Sequence, residues 1–297
     1  MREYTILNEK KIPLNIIEGD DIENPVAIII NIHGIGSHFQ KVFESMDSTE
    51  FRENIFKENN MKMFALEFQG HGKSGGLRCS IDSFDDLVDD LLCLVKNVKD
   101  KFEELPIFFM AESMGGAVAI KYNIKYNFKY KIDGYILLSP MCGIDDSLKP
   151  NPILITTLIS MSYVYPTLQA LSTTSKIKDS CTNKKYIKMK ESCEYFYTDK
   201  MRLNTARECY NTSLWIENNG HLFNSPLFLI HGLDDTVTNP NISIDFWMKI
   251  KNHNKEIYLP KNTNHGLLIG IHENDQHPRL VWQKILDWIN GQLNLNQ

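Results

Sequence analysis

A serine at the end of a short apolar run is the first residue whose setting could support chemistry. Residues 107–110 are apolar, Ser113 follows after Ala111, and small residues return at Gly115 and Gly116. A sharp turn between a strand and a helix has no room for large side chains two positions from its central serine. Such a nucleophile elbow raises the hydroxyl above the edge of a sheet. The pattern predicts a nucleophilic Ser113, provided that a base, an acid and an oxyanion hole lie nearby.

Candidates for the acid and the base follow two further strands. The predicted strand 227–230 is followed by Asp234 and Asp235, and the predicted strand 257–259 is followed by His265. The carboxyl ends of parallel strands meet at one edge of a sheet, and the chain order serine, acid, histidine is typical of a nucleophile elbow. His265 is therefore the predicted base. Spacing alone leaves Asp234 and Asp235 as equal candidates for the carboxylate that orients it.

Two backbone N–H groups are predicted to form the oxyanion hole. The first belongs to Met114, which directly follows the serine. The second is assigned to Ile35, in the glycine-rich segment 33–36 that follows the continuous apolar run 25–32. Taken alone, this segment would be an ordinary turn between a strand and a helix. Its coincidence with the serine, acid and histidine elements favours a functional role.

Apolar strands alternate with amphipathic helices along most of the chain. Strands are predicted at residues 3–7, 12–17, 25–32, 61–68, 107–110, 135–138, 227–230 and 257–259. Apolar residues recur at helical spacing from Ile81 to Val98, and another helix opens at Pro278 and carries Trp282 and Trp288. This alternation is typical of a mostly parallel sheet that is covered by helices on both faces.

The segment 145–223 interrupts the alternation, because no convincing strand is evident in it. We expect a core in two parts, residues 1–144 and 224–297, with residues 145–223 inserted as a helical cap. The stretch 152–171 is apolar but contains Ser, Thr and Pro, whereas a membrane span needs ~20 predominantly apolar residues. This stretch either packs on the core as a cap helix or keeps an apolar face exposed to lipid or a membrane surface.

Composition excludes several classes of function. The 297 residues are 42% hydrophobic and 23% charged, as in ordinary globular proteins, and the net charge of -5 argues against nucleic-acid binding. The charged start of the chain predicts no secretory signal, and six cysteines without a Cys-x-x-Cys pair are typical of reduced thiols in the cytoplasm. No metal site is expected, since His272 and His277 lack helical ligand spacing, and no cofactor is expected either.

Together these motifs resemble those of the monoacylglycerol lipase and lysophospholipase group of α/β-hydrolases. The matching positions are His33-Gly34-x-Gly36, Gly70-His71-Gly72-x-Ser74, Glu112-Ser113-Met114-Gly115-Gly116, His231-Gly232-x-x-Asp235 and Asn264-His265. The resemblance implies an α/β-hydrolase fold with a helical cap over an acyl channel. It also implies that Asp235 is the acid and that Ile35 and Met114 supply the oxyanion donors. Ala111 departs from the usual glycine of the elbow, and the cap is too divergent to transfer a substrate preference.

The resemblance implies a serine hydrolase that cleaves carboxylic esters of single-chain lipids, either lysophospholipids or monoacylglycerols, through an acyl-enzyme on Ser113. The expected partner is a small-molecule lipid ester in the cytoplasm, with peripheral membrane contact through the cap as an alternative. A broad esterase for small esters is a second interpretation, and a ligand-binding relative without turnover is a third. The presence of all three triad residues favours an enzyme. Peptidase-like relatives exist in the same group, but no residue pattern of this chain supports that activity.

Overall fold

A mostly parallel sheet forms the centre of the protein. The computed structural model describes residues 1–39, 46–144, 151–171, 181, 183–269 and 276–295. In these ranges the strands are β1 (Arg2–Leu7), β2 (Pro13–Glu18), β3 (Ala27–Ile32), β4 (Met61–Leu66), β5 (Ile107–Glu112), β6 (Gly134–Leu138), β7 (Gln169–Leu171), β8 (Met201–Arg202), β9 (Leu227–Ile230) and β10 (Lys255–Tyr258). Eight of them form one sheet in the order β1-β2-β4-β3-β5-β6-β9-β10, and β7 pairs with β8. The β1–β2 and β2–β4 pairs are antiparallel, and the other pairs of the large sheet are parallel.

Helices cover both faces of this sheet, as the sequence predicts for an α/β-hydrolase fold. They are α1 (Thr49–Glu58), α2 (Phe84–Lys101), α3 (Met114–Tyr126), α4 (Pro152–Val164), α5 (Lys184–Ser192), α6 (Leu203–Asn219), α7 (Pro240–Lys249) and α8 (His277–Leu295). Ile28 and Ile30 of β3 face an apolar core shared with α2 and α3, whereas Ile29 faces a second core shared with α1 and α8. A strand buried on both faces requires apolar residues at every position, which explains the continuous apolar runs.

The segment between β6 and β9 contains α4, β7, α5, β8 and α6 in its described parts. The expectation that this segment holds no strand was wrong, because β7 and β8 pair antiparallel with Gln169 opposite Arg202. Strands of two and three residues are too short to produce an alternating pattern, so sequence periodicity could not detect them. Asn204 of α6 anchors the segment to the core, since its side-chain amide donates to Ser80 Oγ and Asp82 Oδ1, each at 2.8 Å.

The apolar helix α4 is covered on one side only. On the covered side, Arg207 of α6 donates to Ser162 Oγ at 3.1 Å and lies over the Tyr163 ring at 4.5 Å. Ile153 and Val164 are 78% and 68% exposed. The helix therefore packs on α6 and also presents apolar side chains to solvent. None of the helices in the described ranges combines the length and the apolarity that a membrane crossing requires.

Candidate active site

The turn that carries Ser113 is as tight as its small neighbours predict. β5 ends at Glu112 and α3 begins at Met114, which leaves Ser113 alone between them with φ 52° and ψ -116°. A positive φ is unfavourable for a residue with a side chain and persists only where the surroundings enforce it. Here the Ser113 N–H donates to Leu138 O at 3.0 Å, and Ser113 O accepts from the Met141 N–H at 2.9 Å. Hydrogen bonds on both sides of the serine thus hold the strained conformation.

Two glycines after the serine let α3 lie directly against its neighbours. A Cβ on Gly115 would lie 2.7 Å from the carbonyl oxygen of His33, and a Cβ on Gly116 would lie 2.5 Å from Pro140 Cβ. Close-packed interiors contain no contacts that short, so a larger residue at either position would displace the helix. The two glycines therefore fix where the start of α3 and its N–H groups lie.

The structure brings Asp235, and not Asp234, to the imidazole of His265. Asp235 lies in the loop after β9 and His265 in the loop after β10, at the same edge of the sheet as Ser113. His265 Nδ1 donates to Asp235 Oδ2 at 2.7 Å, and the carboxylate is fully buried while the imidazole is 13% exposed. Asp234 is exposed, and its backbone N–H donates to Thr263 O at 3.0 Å. Of the two carboxylates that spacing left open, the geometry favours Asp235.

Asp235 also contacts a second imidazole. Its Oδ2 accepts from His231 Nε2 at 3.0 Å and from Thr238 Oγ1 at 2.8 Å, and its Oδ1 accepts from two backbone N–H groups of the same loop at 2.7 and 3.0 Å. His231 is anchored in turn through Nδ1, which lies 2.8 Å from Ser243 Oγ. Burial alone would raise the pKa of Asp235, but His265, His231 and these hydrogen bonds hold it far below its usual range. The carboxylate stays ionised and can orient His265.

The loop that carries Ile35 and the first residue of α3, Met114, both lie next to Ser113. Met114 is the first residue of α3, so its N–H has no acceptor within that helix. A Cβ on Gly34 would lie 3.1 Å from Ser113 Cβ and 3.7 Å from Ser113 Oγ, so the loop that carries Ile35 runs beside the hydroxyl. Ile35, Ser113 and Met114 line one cavity. The two residues therefore stay the predicted oxyanion donors, since backbone N–H groups beside a nucleophile are able to stabilise negative charge on a reacting oxygen.

Two cavities meet at Ser113. The smaller has a volume of about 170 Å³ and a largely apolar wall, but it also contains the charged side chains of Asp47, Glu112 and Lys190 and is termed the polar cavity; Ser113 and His265 line it as well. The apolar cavity has a volume of about 340 Å³, and its described lining includes Ser113 but not His265. Most of its remaining wall comes from side chains of the segment between β6 and β9, among them Ile155, Leu158, Ile159, Leu203 and Ala206. Ser113 therefore lies where a cavity with several charged side chains joins a larger one whose described lining has a single charged residue, Arg207.

An ion-pair cluster supplies two of the charged side chains of the polar cavity, Asp47 and Glu112. The buried guanidinium of Arg52 pairs with Asp47 Oδ1 at 2.6 Å and with Glu112 Oε1, and the Tyr186 hydroxyl of α5 donates to Asp47 Oδ2 at 2.8 Å. Burial raises the pKa of Glu112, and the nearby Arg52 offsets that effect only in part. Glu112 is thus ion-paired and forms part of the cavity wall.

Two buried histidines support the loop after β3. The rings of His33 and His71 lie 5.1 Å apart, and His33 Nε2 accepts a backbone hydrogen bond at 3.2 Å. Burial lowers the pKa of both, that of His71 to about 4, so both rings are neutral near pH 7. His71 is thus a buried, neutral ring that packs beside His33. His221 and His253 are exposed, and His272 lies outside the described residues.

Sequence reasoning gave no role to several side chains at this site, among them Thr238 on Asp235 and Lys190 in the polar cavity. It named His231 in the motif with Asp235 but did not predict their contact, although the spacing of four residues was a local signal for it. Thr238 and Lys190 have no such signal. Lys190 reaches the cavity only because the fold brings α5 over the core.

Comparisons with known proteins agree with this architecture. The family model described as serine aminopeptidase, S33, matches residues 23–272. A caffeoylshikimate esterase of Arabidopsis thaliana is 25% identical over 264 residues, which are 87% of this chain and 76% of that protein. A monoglyceride lipase of Rattus norvegicus is 33% identical over 117 residues, which are 39% of this chain and 36% of that protein.

Solved structures give the same result for the fold. A soluble variant of monoglyceride lipase from Saccharomyces cerevisiae, in complex with a substrate analogue, superposes with a TM-score of 0.82 at 19% identity. The superposition covers 98% of this chain and 94% of the yeast chain. The family match spans most of the sequence and includes the elbow and both loops that carry Asp235 and His265. The chain therefore belongs to the serine aminopeptidase, S33, family, and it is an α/β-hydrolase of the monoacylglycerol lipase and lysophospholipase group.

Proposed function

We propose that the protein is a serine hydrolase that cleaves carboxylic esters of single-chain lipids through an acyl-enzyme on Ser113. The observation that carries the proposal is the 2.7 Å hydrogen bond from His265 Nδ1 to the buried Asp235, with Ser113 and His265 lining the same cavity. A neutral imidazole that is oriented through Nδ1 keeps Nε2 available to accept the proton of a serine hydroxyl. The curated relatives named above, an esterase and a lipase, support an ester as the substrate.

The reaction follows the two halves of acyl transfer. Ser113 Oγ attacks the ester carbonyl carbon while His265 takes the hydroxyl proton, and the N–H groups of Ile35 and Met114 stabilise the resulting oxyanion. When the intermediate collapses, the C–O bond breaks and His265 returns the proton to the leaving alcohol. Water then attacks the acyl-enzyme with His265 again as the base, which releases the fatty acid and restores Ser113.

The two cavities correspond to the two parts of such a substrate. Because His265 must deliver a proton to the leaving oxygen, the alcohol belongs in the cavity that His265 lines, which is the polar one. The acyl chain then occupies the apolar cavity of about 340 Å³. Burial of each CH₂ group in such a space contributes ~0.8 kcal/mol, so an extended acyl chain is favoured over an acetyl group. This supports a lipid ester over the alternative of a broad esterase for small esters.

The exposed apolar side of α4 borders the same part of the molecule. Its residues Ile155, Leu158 and Ile159 line the apolar cavity, while Ile153 and Val164 are exposed. The proposal includes contact of this helix with the lipid surface that supplies the substrate.

An aminopeptidase activity, which the family description names, is a weaker candidate for this chain. An aminopeptidase holds the free α-ammonium group of its substrate on the acyl side of the bond that breaks, and a buried ammonium needs a carboxylate partner. Among the described residues that line the apolar cavity there is no Asp or Glu, and the charged one is Arg207. The charges of the cavity thus oppose an ammonium group where the peptidase reaction would need it.

A serine-directed phosphonate tests the proposal. The wild-type protein is expected to hydrolyse medium-chain esters and to gain one phosphonate adduct on Ser113, measured by mass spectrometry of its peptides. Ser113→Ala should lower kcat by roughly 10⁴-fold or more and abolish the adduct. Ser37→Ala is the matched control, since Ser37 lines the same cavity without standing at the elbow, and it should retain both properties. Hydrolysis at the wild-type rate by Ser113→Ala would refute the proposal.

A further inference from the structure

A second imidazole shares the carboxylate oxygen that accepts from His265. His231 directly follows β9 and is fully buried, and its Nε2 atom lies 3.0 Å from Asp235 Oδ2 and 3.1 Å from the backbone oxygen of Thr238. An ionised carboxylate and a carbonyl oxygen only accept hydrogen bonds, so Nε2 of His231 carries a hydrogen atom and donates it. The reaction described above gives this ring no part, although it is bonded to the residue that orients the base.

The other ring nitrogen of His231 is held by α7. Nδ1 lies 2.8 Å from the hydroxyl oxygen of Ser243, which is also buried. In a neutral ring that donates through Nε2, Nδ1 is an acceptor, and the Ser243 hydroxyl supplies the hydrogen. A row of hydrogen bonds therefore runs from α7 through His231 to Asp235, where it meets the hydrogen bond from His265.

This row fixes the Asp235 carboxylate to the core of the protein. Oδ1 accepts from the backbone N–H groups of Val237 and Thr238 at 2.7 and 3.0 Å, and Oδ2 accepts from Thr238 Oγ1 at 2.8 Å. These donors belong to the same loop as Asp235 and move with it. His231 is attached outside the loop, because its backbone N–H donates to β10 at Tyr258 O and its ring is held by α7. The hydrogen bond from His231 therefore ties the carboxylate to two elements of the core.

The same hydrogen bond changes how strongly Asp235 attracts a proton on His265. Burial acts to raise the pKa of Asp235, but the charge of His265 and the hydrogen bond from His231 hold it far below its usual range. Each donor on a carboxylate stabilises its charged form, which then stabilises a neighbouring imidazolium less. With His231 in place, the His265 ring therefore remains a neutral base to a lower pH.

Other titratable groups also surround this row. Within the described part of the chain, those that hydrogen-bond to Asp235 are His231 and His265, and the Cys142 thiol after β6 lies 3.8 Å from Ser243 Oγ. The titratable groups that line the polar cavity with His265 are Asp47, Cys79, Glu112, Tyr186, Lys190 and Tyr197. All of them are kept when His231 is replaced, so a changed pH dependence in such a variant comes from the row itself.

We propose that His231 is a positioning residue that fixes the Asp235 carboxylate against α7 and, through it, sets how readily His265 takes up a proton. The inference rests on the proposed function and deepens it by one residue that touches no reacting atom. The proton of the reaction passes between Ser113, His265 and the leaving alcohol, and the Nε2 hydrogen stays on His231 throughout.

Two amide substitutions separate the two ends of the His231 ring. The amide of His231→Asn lies where Nδ1 lies, so it keeps the contact with Ser243 and does not reach Asp235. The amide of His231→Gln extends one bond further, to the place of Nε2, and can donate to Asp235. A role in packing alone would not separate these two variants by their pH dependence.

The first measurement is kcat/KM for a decanoyl ester as a function of pH. In His231→Asn the acid limb should move up by about one pH unit, because the carboxylate then holds a protonated His265 more tightly. The plateau kcat should fall roughly 10-fold, because the carboxylate is less firmly oriented. His231→Gln should return both values close to those of the wild type. His253→Asn, at an exposed histidine, is the matched control and should keep the wild-type profile.

Titration of His265 by NMR, with isotope-labelled histidine and no substrate, separates the inference from the proposed function. The His265 ring should take up its proton at a pH about one unit higher in His231→Asn than in the wild type. A shifted titration in a protein that hydrolyses no ester would reject the proposed function and support the role of His231. Equal midpoints in the wild type and His231→Asn, or equal shifts in His231→Asn and His231→Gln, would overturn the inference. If His231→Asn does not fold, Ser243→Ala replaces it and should shift the midpoint less, in the same direction, and no shift refutes the inference.

Discussion

The polar and the apolar cavity share Ser113, Ile35, Met201 and Val237, and they differ in size and in the charges of their walls. The apolar cavity is twice as large, about 340 against 170 Å³, and about half of its described lining comes from α4 and α6. The polar cavity is lined by Asp47 and Glu112, which pair with Arg52, and by Lys190 of α5. One serine thus borders two cavities that differ in size and in charge.

The difference fits what each side would do in the proposed ester cleavage. The acyl side would keep its ligand through both half-reactions and gain from excluding water around an apolar chain. The alcohol side must release its product and then admit the water that attacks the acyl-enzyme, and polar groups stabilise water there. His265 serves both events, and the described lining places it only on the polar side. Chemistry and selection are therefore separable by mutation.

The largest expected effect comes from the carboxylate that both half-reactions need. Asp235→Asn should lower kcat by roughly 10³–10⁴-fold on every ester, whatever its chain or alcohol, measured by steady-state kinetics. Both carboxylate oxygens now accept hydrogen bonds, and Oδ2 accepts from His265, His231 and Thr238. An amide replaces one of these oxygens by an NH₂ group, which cannot accept. The Nδ1–H tautomer of His265 would then lose its acceptor. A loss that depended on the alcohol or on the chain would contradict this separation.

Asp234→Asn is the matched control for that variant. Asp234 is adjacent and exposed, and the structure gives its backbone, not its side chain, a role in the loop. Its kcat should stay within about twofold of the wild type, as for a surface substitution. If the two variants exchanged their effects, the assignment of the acid would move to Asp234.

Much of the core could be predicted from the sequence because its signals are local. Continuous apolar runs predict the central parallel strands, and small residues within five positions of Ser113 predict the elbow. The loops of Asp235 and His265 follow directly from the ends of β9 and β10. The choice between Asp234 and Asp235 required either the resemblance or the structure, since one step along a loop reverses which side chain is buried.

The segment between β6 and β9 could not be predicted in the same way. The β7–β8 pair is too short for a periodic pattern, and its partners are separated by about thirty residues. Lys190 is one of several lysines in a polar helix, and only tertiary contacts distinguish it from the exposed Lys188. Arg52 joins Asp47 and Glu112 over sixty positions of sequence, so no local reading could find the cluster.

The next largest expected effect is on the preference for acyl-chain length, and it tests the apolar cavity alone. Ala206 lines that cavity from α6, and Ala206→Phe should fill part of its volume. For decanoyl esters kcat/KM should fall by roughly 10–100-fold, while butanoyl esters change by less than about threefold, because only the longer chain needs the occupied space. A series of glyceryl esters from four to twelve carbons measures this. Asn211→Phe, at an exposed position of the same helix, controls for the added ring. Equal losses at all chain lengths would remove the acyl chain from this cavity.

The smallest expected effect is on the pH dependence of folding stability, and it involves histidines near the polar cavity. That side continues into a cavity of about 50 Å³ lined by His33 and His38, and His71 lies behind them. Burial lowers the pKa of His38 and His71 to about 4, whereas an unfolded histidine has a pKa near ~6.5. The unfolded state therefore binds protons first, so the stability these rings contribute is complete above about pH 6.5 and is lost as the pH falls towards 4.

His71→Leu removes one of these groups and should flatten the pH dependence of stability. When the pH falls from 7 to 5, each buried imidazole with this shift lowers the free energy of unfolding by about 2 kcal/mol. The fall in the free energy of unfolding should therefore be about 2 kcal/mol smaller in the variant than in the wild type. Urea unfolding at the two pH values measures the difference, and the absolute stability at pH 7 does not enter it. His221→Leu, at an exposed histidine, should keep the wild-type slope. If the pH dependence of stability were unchanged in His71→Leu, acid would not act through this buried ring. The polar side would then be no more sensitive to acid than the apolar side, whose described lining contains no histidine.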